Sequence, residues 1–175
     1  MIKKIVFFYS TPFIKQHYKR FGAEVLKSNG FEVMFYDFSP IVFPLLHKGS
    51  SFLPRPVIEN YFLVHENKEA VQAIQSLGSE CFVVMVGFYQ AENFKIFQAL
   101  SKTSIPYAIC ANGAFPGGLD VIEGSLLIKF LTKLYRCNLK KLKSIFYKPI
   151  FAPLFGIRPP SICILGGEKT LKNNG

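Results

Sequence analysis

Apolar residues follow two rhythms along this chain. Short unbroken runs occur at KKIVFFY (3–9), FEVMFYDF (31–38), CFVVMVGF (81–88), IPYAICANG (105–113) and SICILGG (161–167). Runs of that length, without polar alternation, read as strands covered on both faces, as in a parallel sheet. Between the first two, FIKQHYKRFGAEVLKS (13–28) places apolar residues at 14, 18, 21, 25 and 26. That is helical spacing, and Asn29-Gly30 closes it. Asn67 is positioned to cap a helix reaching Leu77, and residues 91–101 predict another with Phe94, Phe97 and Leu100 on one side. YFLVH (61–65) fits either a short edge strand or part of a helix. Residues 40–60, with prolines at 40, 44, 54 and 56, read as loop. Alternating strands and helices predict an α/β domain: a mostly parallel sheet of five or six strands flanked by helices, beginning with a β–α–β unit whose crossover is right-handed.

Charge changes the picture in one place. Residues 125–158, SLLIKFLTKLYRCNLKKLKSIFYKPIFAPLFGIR, carry eight Lys or Arg and no acid, while the remainder holds 13 cations against 11 acids. The basicity is therefore local, which points to an anionic partner surface. Lys129, Lys133, Arg136, Lys140 and Lys143 are spaced four, three, four, three, with Lys141 beside them, and fall on one helical stripe. Leu127, Leu131, Leu134, Leu142 and Ile145 fall on another, with Arg136-Cys137-Asn138 as a kink or joint. The plain reading is a surface helix with leucines toward the core and lysines toward water. The functional reading is a helix lying on anionic lipid, each cation contributing on the order of 1 kcal/mol. Nucleic acid is disfavoured: Arg is scarce and the aromatics keep apolar company.

No window offers about 20 uncharged apolar residues, and the N-terminus lacks the length and cleavage site of a signal peptide. The expected location is cytoplasmic. Cys81, Cys110, Cys137 and Cys163 show no metal or redox spacing and read as buried free thiols.

Open parallel sheets bind ligands beyond the carboxyl ends of their strands. Those ends are Ser10-Thr11-Pro12, Asp37-Phe38-Ser39, Gly87-Phe88-Tyr89, Asn112-Gly113-Ala114 and Gly166-Gly167-Glu168. The candidate ligand residues are Ser10, Thr11, Phe13, Asn112, Gly113, Gly166, Gly167 and Glu168. Asp37 or Glu168 would serve as a general base if a sugar hydroxyl came near, although lone carboxylates at such ends more often cap or pair. No GxGxxG follows the first strand, no GxSxG elbow exists, and GGEKT lacks the spacing of a phosphate loop. His17, His47 and His65 are scattered without metal-ligand spacing. His17, beside Lys15, Lys19 and Arg20, leaves surface or ligand contact open.

IVFFYSTPFIKQHYKRFGAEVLKSNGFEVMFYDFSP, with its Thr-Pro-Phe turn and Arg-Phe-Gly helix, resembles the opening of bacterial surface-polysaccharide biosynthesis proteins. IPYAICANGAFP and ILGGEKTL resemble that family's later strand ends. The resemblance implies a Rossmann-like domain of the kind that forms the first half of GT-B glycosyltransferases. It implies an acceptor-side domain, facing a lipid-linked or saccharide acceptor at the inner membrane, without cofactor. A sugar nucleotide would bind only where a second, donor-binding domain completes it. ILGGEKTLKNNG, a strand end and a helix start, predicts the first half of a longer architecture or a shortened chain. The rival expectation is a non-catalytic Rossmann- or flavodoxin-like module for a nucleotide or a protein.

Overall fold

The structure, a computed structural model, describes residues 1–49, 57–87, 89, 91–111 and 153–165. Six strands form one sheet: β1 (Lys4–Tyr9), β2 (Glu32–Asp37), β3 (Tyr61–Leu63), β4 (Cys81–Val86), β5 (Tyr107–Ala111) and β6 (Ile162–Leu165). Every pairing is parallel, and the order is β3-β2-β1-β4-β5-β6. This is a doubly wound, Rossmann-like α/β arrangement. The helices are α1 (Lys15–Arg20), α2 (Ala23–Ser28), α3 (Ser39–Val42), α4 (Pro44–Gly49), α5 (Asn67–Ser76) and α6 (Phe94–Ser101).

The continuous apolar runs have the predicted cause. In β1, Val6 and Phe8 enter one core while Phe7 and Tyr9 enter the other, and all four are buried. Val6 and Phe8 meet α5 and α6 through Ala70, Ile74, Ile96, Phe97 and Leu100. Phe7 and Tyr9 meet α2 and the turn before it through Ala23, Phe21 and Leu26. Phe7 stacks on Phe35 at 5.2 Å, and Phe8 meets Phe38 edge-on at 5.1 Å. Fully burying one such ring stabilises the fold by about 1.5–3 kcal/mol.

Several local features differ from the sequence reading or resolve what it left open. The helix expected over 13–28 is two six-residue helices. Gly22 sits between them at φ +60°, a left-handed conformation that glycine adopts without Cβ strain. The far end closes as expected: Gly30 N–H meets the Lys27 carbonyl and Phe31 N–H the Leu26 carbonyl, a Schellman stop. Residues read as loop after Pro40 contain α3 and α4, because Pro40 and Pro44 occupy first-turn positions where no N–H is needed. The ambiguous YFLVH segment supplies edge strand β3, its Tyr61 in register with Phe35. In α5, Glu66 rather than Asn67 takes the cap position, and the Glu69 carboxylate accepts the His65 N–H at 2.9 Å. Cys81 and Cys110 are buried free thiols, as expected, whereas Cys163 is exposed because β6 is an edge strand. Cys137 lies outside the described residues.

Among the described residues, no helix is long and apolar enough to cross a membrane. Lys129, Lys133, Arg136, Lys140, Lys141 and Lys143 lie outside the described residues. Arg158 lies within them and does not join a free cationic ridge. Its N–H donates to Ser101 Oγ at 2.9 Å, and its guanidinium donates to the Ile105 carbonyl and lies 5.6 Å from the Tyr107 ring. The Tyr107 hydroxyl donates to the Arg158 carbonyl. The end of the basic stretch is thus clasped to the start of β5.

Candidate functional site

The strand order reverses at β1, whose neighbours are β2 on one side and β4 on the other. In open parallel sheets such a reversal leaves a crevice at the carboxyl edge, since the two crossovers leave in opposite directions. Here that edge is built from Ser10 and Thr11 after β1, Gly87 after β4, and Asn93 in the short 3₁₀ turn preceding α6. Tyr9 is in register with Val86, which brings Ser10 beside Gly87. Gly87 has φ +122°, and a Cβ placed on it would lie 3.9 Å from Ser10 Oγ. The Asn93 amide donates to Ser10 Oγ at 3.4 Å. Ser10 and Asn93 are buried, Gly87 is half-exposed and Thr11 is exposed. The edge therefore combines a buried hydroxyl held by a buried amide, an exposed threonine and a glycine backbone without a side chain over it.

From Pro12 to Ile14 the turn after β1 offers no free backbone N–H. Pro12 has no N–H to offer. The Phe13 N–H donates to Asp37 Oδ2 at 2.9 Å. The Ile14 N–H donates to His17 Nδ1 at 3.3 Å. In a dinucleotide domain this turn presents free backbone N–H groups to a pyrophosphate, and the acid ending the second strand takes a ribose hydroxyl. Asp37 does end β2, but it is 0 % exposed. Its carboxylate accepts from Phe13, from the Ser39 N–H at 2.9 Å and from the Tyr61 hydroxyl at 3.0 Å. It ties the turn after β1, the start of α3 and the side chain of Tyr61, the first residue of β3, to the end of β2. The expected base role finds no support in this geometry, because three protein donors surround the carboxylate.

Phe13, a candidate ligand residue, is wholly buried. Its ring lies 4.7 Å from Tyr9, 4.8 Å from Phe35 and 5.6 Å from Tyr61. It is a core residue that fixes the turn. His17 is half-buried and stacks on Tyr9 at 5.2 Å. Burial lowers its pKa, the Arg20 charge lowers it further, and Asp37 opposes both. An imidazole whose Nδ1 accepts from Ile14 is neutral at that nitrogen, so burial and hydrogen bonding agree. The Tyr9 hydroxyl is buried with no hydrogen-bond partner among the described residues. Its pKa is raised, chiefly by burial. His47 Nδ1 lies 2.8 Å from Ser39 Oγ.

Asn112 and Gly113 follow β5, which ends at Ala111, and Gly166, Gly167 and Glu168 follow β6, which ends at Leu165. Those five residues lie outside the described residues. Sequence reasoning missed Asn93. Its position before FKIFQAL is that of a helix cap, and it is indeed the N-cap of α6. Its side chain makes no cap hydrogen bond and turns to Ser10 instead. Among the described residues no three His, Cys, Asp or Glu gather where they could hold a metal ion.

No protein-family model, curated protein or solved structure matches this chain.

Proposed function

We propose that this chain is the acceptor-side domain of a GT-B-like glycosyltransferase of bacterial surface-polysaccharide synthesis, resting on the inner membrane surface. The observation that carries the reading is the pairing of a carboxyl edge carrying exposed Thr11, half-exposed Gly87 and the buried Ser10–Asn93 pair with a β1 turn whose Phe13 and Ile14 N–H groups are taken by Asp37 and His17. A hydroxyl-rich saccharide suits the first. A nucleotide pyrophosphate finds no free cradle from Pro12 to Ile14, which favours an acceptor over a sugar nucleotide in this domain. No described residue at the edge supplies an unengaged base, so this half would contribute positioning. Donor binding and the rest of the chemistry would come from a second domain.

Calorimetric titration tests the reading. Short oligosaccharides should bind, while UDP and NAD should give no heat. Saturable UDP or NAD binding with silent saccharides would favour the second reading, a nucleotide-binding module. The strand order β3-β2-β1-β4-β5-β6 is the observation in favour of that module. Docking is tested by sedimentation with vesicles. Binding to phosphatidylglycerol vesicles but not to pure phosphatidylcholine supports it, and equal binding or none counts against it.

A further inference from the structure

Helix α4 buries none of its residues, yet its sequence is PLLHKG. Leu45 is 83 % exposed and Leu46 51 %. A six-residue helix has little stability of its own, so something must hold it in place. One anchor is visible. Ser39 Oγ and His47 Nδ1 lie 2.8 Å apart, and the Ser39 N–H is held by Asp37 at the end of β2. That chain of contacts pins α4 to the carboxyl edge of the sheet, the edge that carries Ser10 and Thr11, with its leucines outward. Along the sequence, the charge flanking it is one-sided. Residues 38–58 contain Lys48, Arg55 and His47 and no Asp or Glu. The flanking acids are Asp37, wholly buried, and Glu59.

We infer that α4 is an interfacial helix whose Leu45 and Leu46 enter the headgroup boundary of an anionic membrane, with Lys48 at the phosphates. Exposed leucines beside cations, free of acids, match the chemistry of that boundary. A soluble apolar partner would not select for the missing acids. This rests on the docking reading above and extends it: the acceptor edge, and not only the basic stretch 125–158, faces the lipid. A lipid-linked acceptor would then reach Ser10 and Thr11 without leaving the surface.

The chain contains no Trp, so Leu45→Trp creates a single emitter at the helix. Because Leu45 is mostly exposed, the substitution disturbs no packing. Vesicles of phosphatidylglycerol and phosphatidylcholine in equal parts should shift the emission to the blue. Lipids brominated high in the acyl chain should quench it. In sedimentation, the Leu45→Gln, Leu46→Gln double variant should bind such vesicles about 100-fold more weakly, roughly tenfold per leucine. Wild-type sedimentation together with unshifted, unquenched Trp emission overturns the role of α4 and leaves docking by the basic stretch intact. Failure of the wild type to sediment with these vesicles overturns both. A blue shift that grows with protein concentration without vesicles means a second copy covers the leucines, and also overturns the proposal.

Discussion

Replacing Asp37 with Ala removes one acceptor from three donors. Two are buried backbone N–H groups, those of Phe13 and Ser39, at 2.9 Å each. Leaving such a donor unsatisfied costs about 1–3 kcal/mol, and losing the Tyr61 hydroxyl contact adds about 1 kcal/mol. Together they predict a destabilisation of about 3–7 kcal/mol, a large share of the stability of a domain this size. Urea unfolding measures it. Tyr61→Phe serves as the partial control and should cost about 1 kcal/mol. Should Asp37→Ala fail to fold, Asp37→Asn, which keeps one acceptor oxygen, should unfold at an intermediate urea concentration. Hydrogen exchange supplies a local readout, because the Phe13 amide should be protected in the wild type and lose protection in Asp37→Asn. An Asp37→Ala protein within about 1 kcal/mol of wild type, or an unprotected Phe13 amide in the wild type, would refute this role for Asp37. The Phe13 N–H would then be free to meet a phosphate.

Other outcomes follow from the same geometry. His17 has a folded pKa below its unfolded value, so the unfolded chain takes the proton first. Its stabilising contribution is full above about pH 6.5 and is lost as pH falls below that value toward the folded pKa. The difference in urea midpoint between wild type and His17→Asn should therefore shrink between pH 7 and pH 5. Gly22→Ala should cost about 1–2 kcal/mol through its left-handed backbone, although its Cβ would meet only Val25 at 3.9 Å. Tyr107→Phe should cost about 1 kcal/mol in urea unfolding by releasing the Arg158 carbonyl.

The strands were legible because a parallel sheet covered on both faces needs uninterrupted apolar runs, and KIVFFY and CFVVMV are such runs. The edge strand β3 was ambiguous because three residues, half-covered, carry too little pattern to separate strand from helix. Prolines 40 and 44 concealed two helices, since a first-turn proline and a loop proline look alike without the partner that receives the preceding turn. At the candidate site, strand ends announced Ser10, Thr11 and Gly87. They could not announce that the Asn93 amide would leave its helix for Ser10. Nor could they reveal that Asp37, which ends β2, would accept from the N–H of Phe13, 24 residues earlier in the turn after β1. Such tertiary choices depend on packing that one-dimensional spacing does not encode. Phe13 read as a ligand residue for that reason, and it is core.

The central claim is that the edge between β1 and β4 receives a saccharide and not a nucleotide. The most direct measurement is amide chemical-shift mapping on the isotope-labelled chain. With short oligosaccharides the account predicts saturable shifts concentrated at Ser10, Thr11, Gly87 and Asn93, and no shifts there with UDP or NAD. Saturable movement of those same signals by UDP or NAD, with oligosaccharides leaving them still, would contradict it.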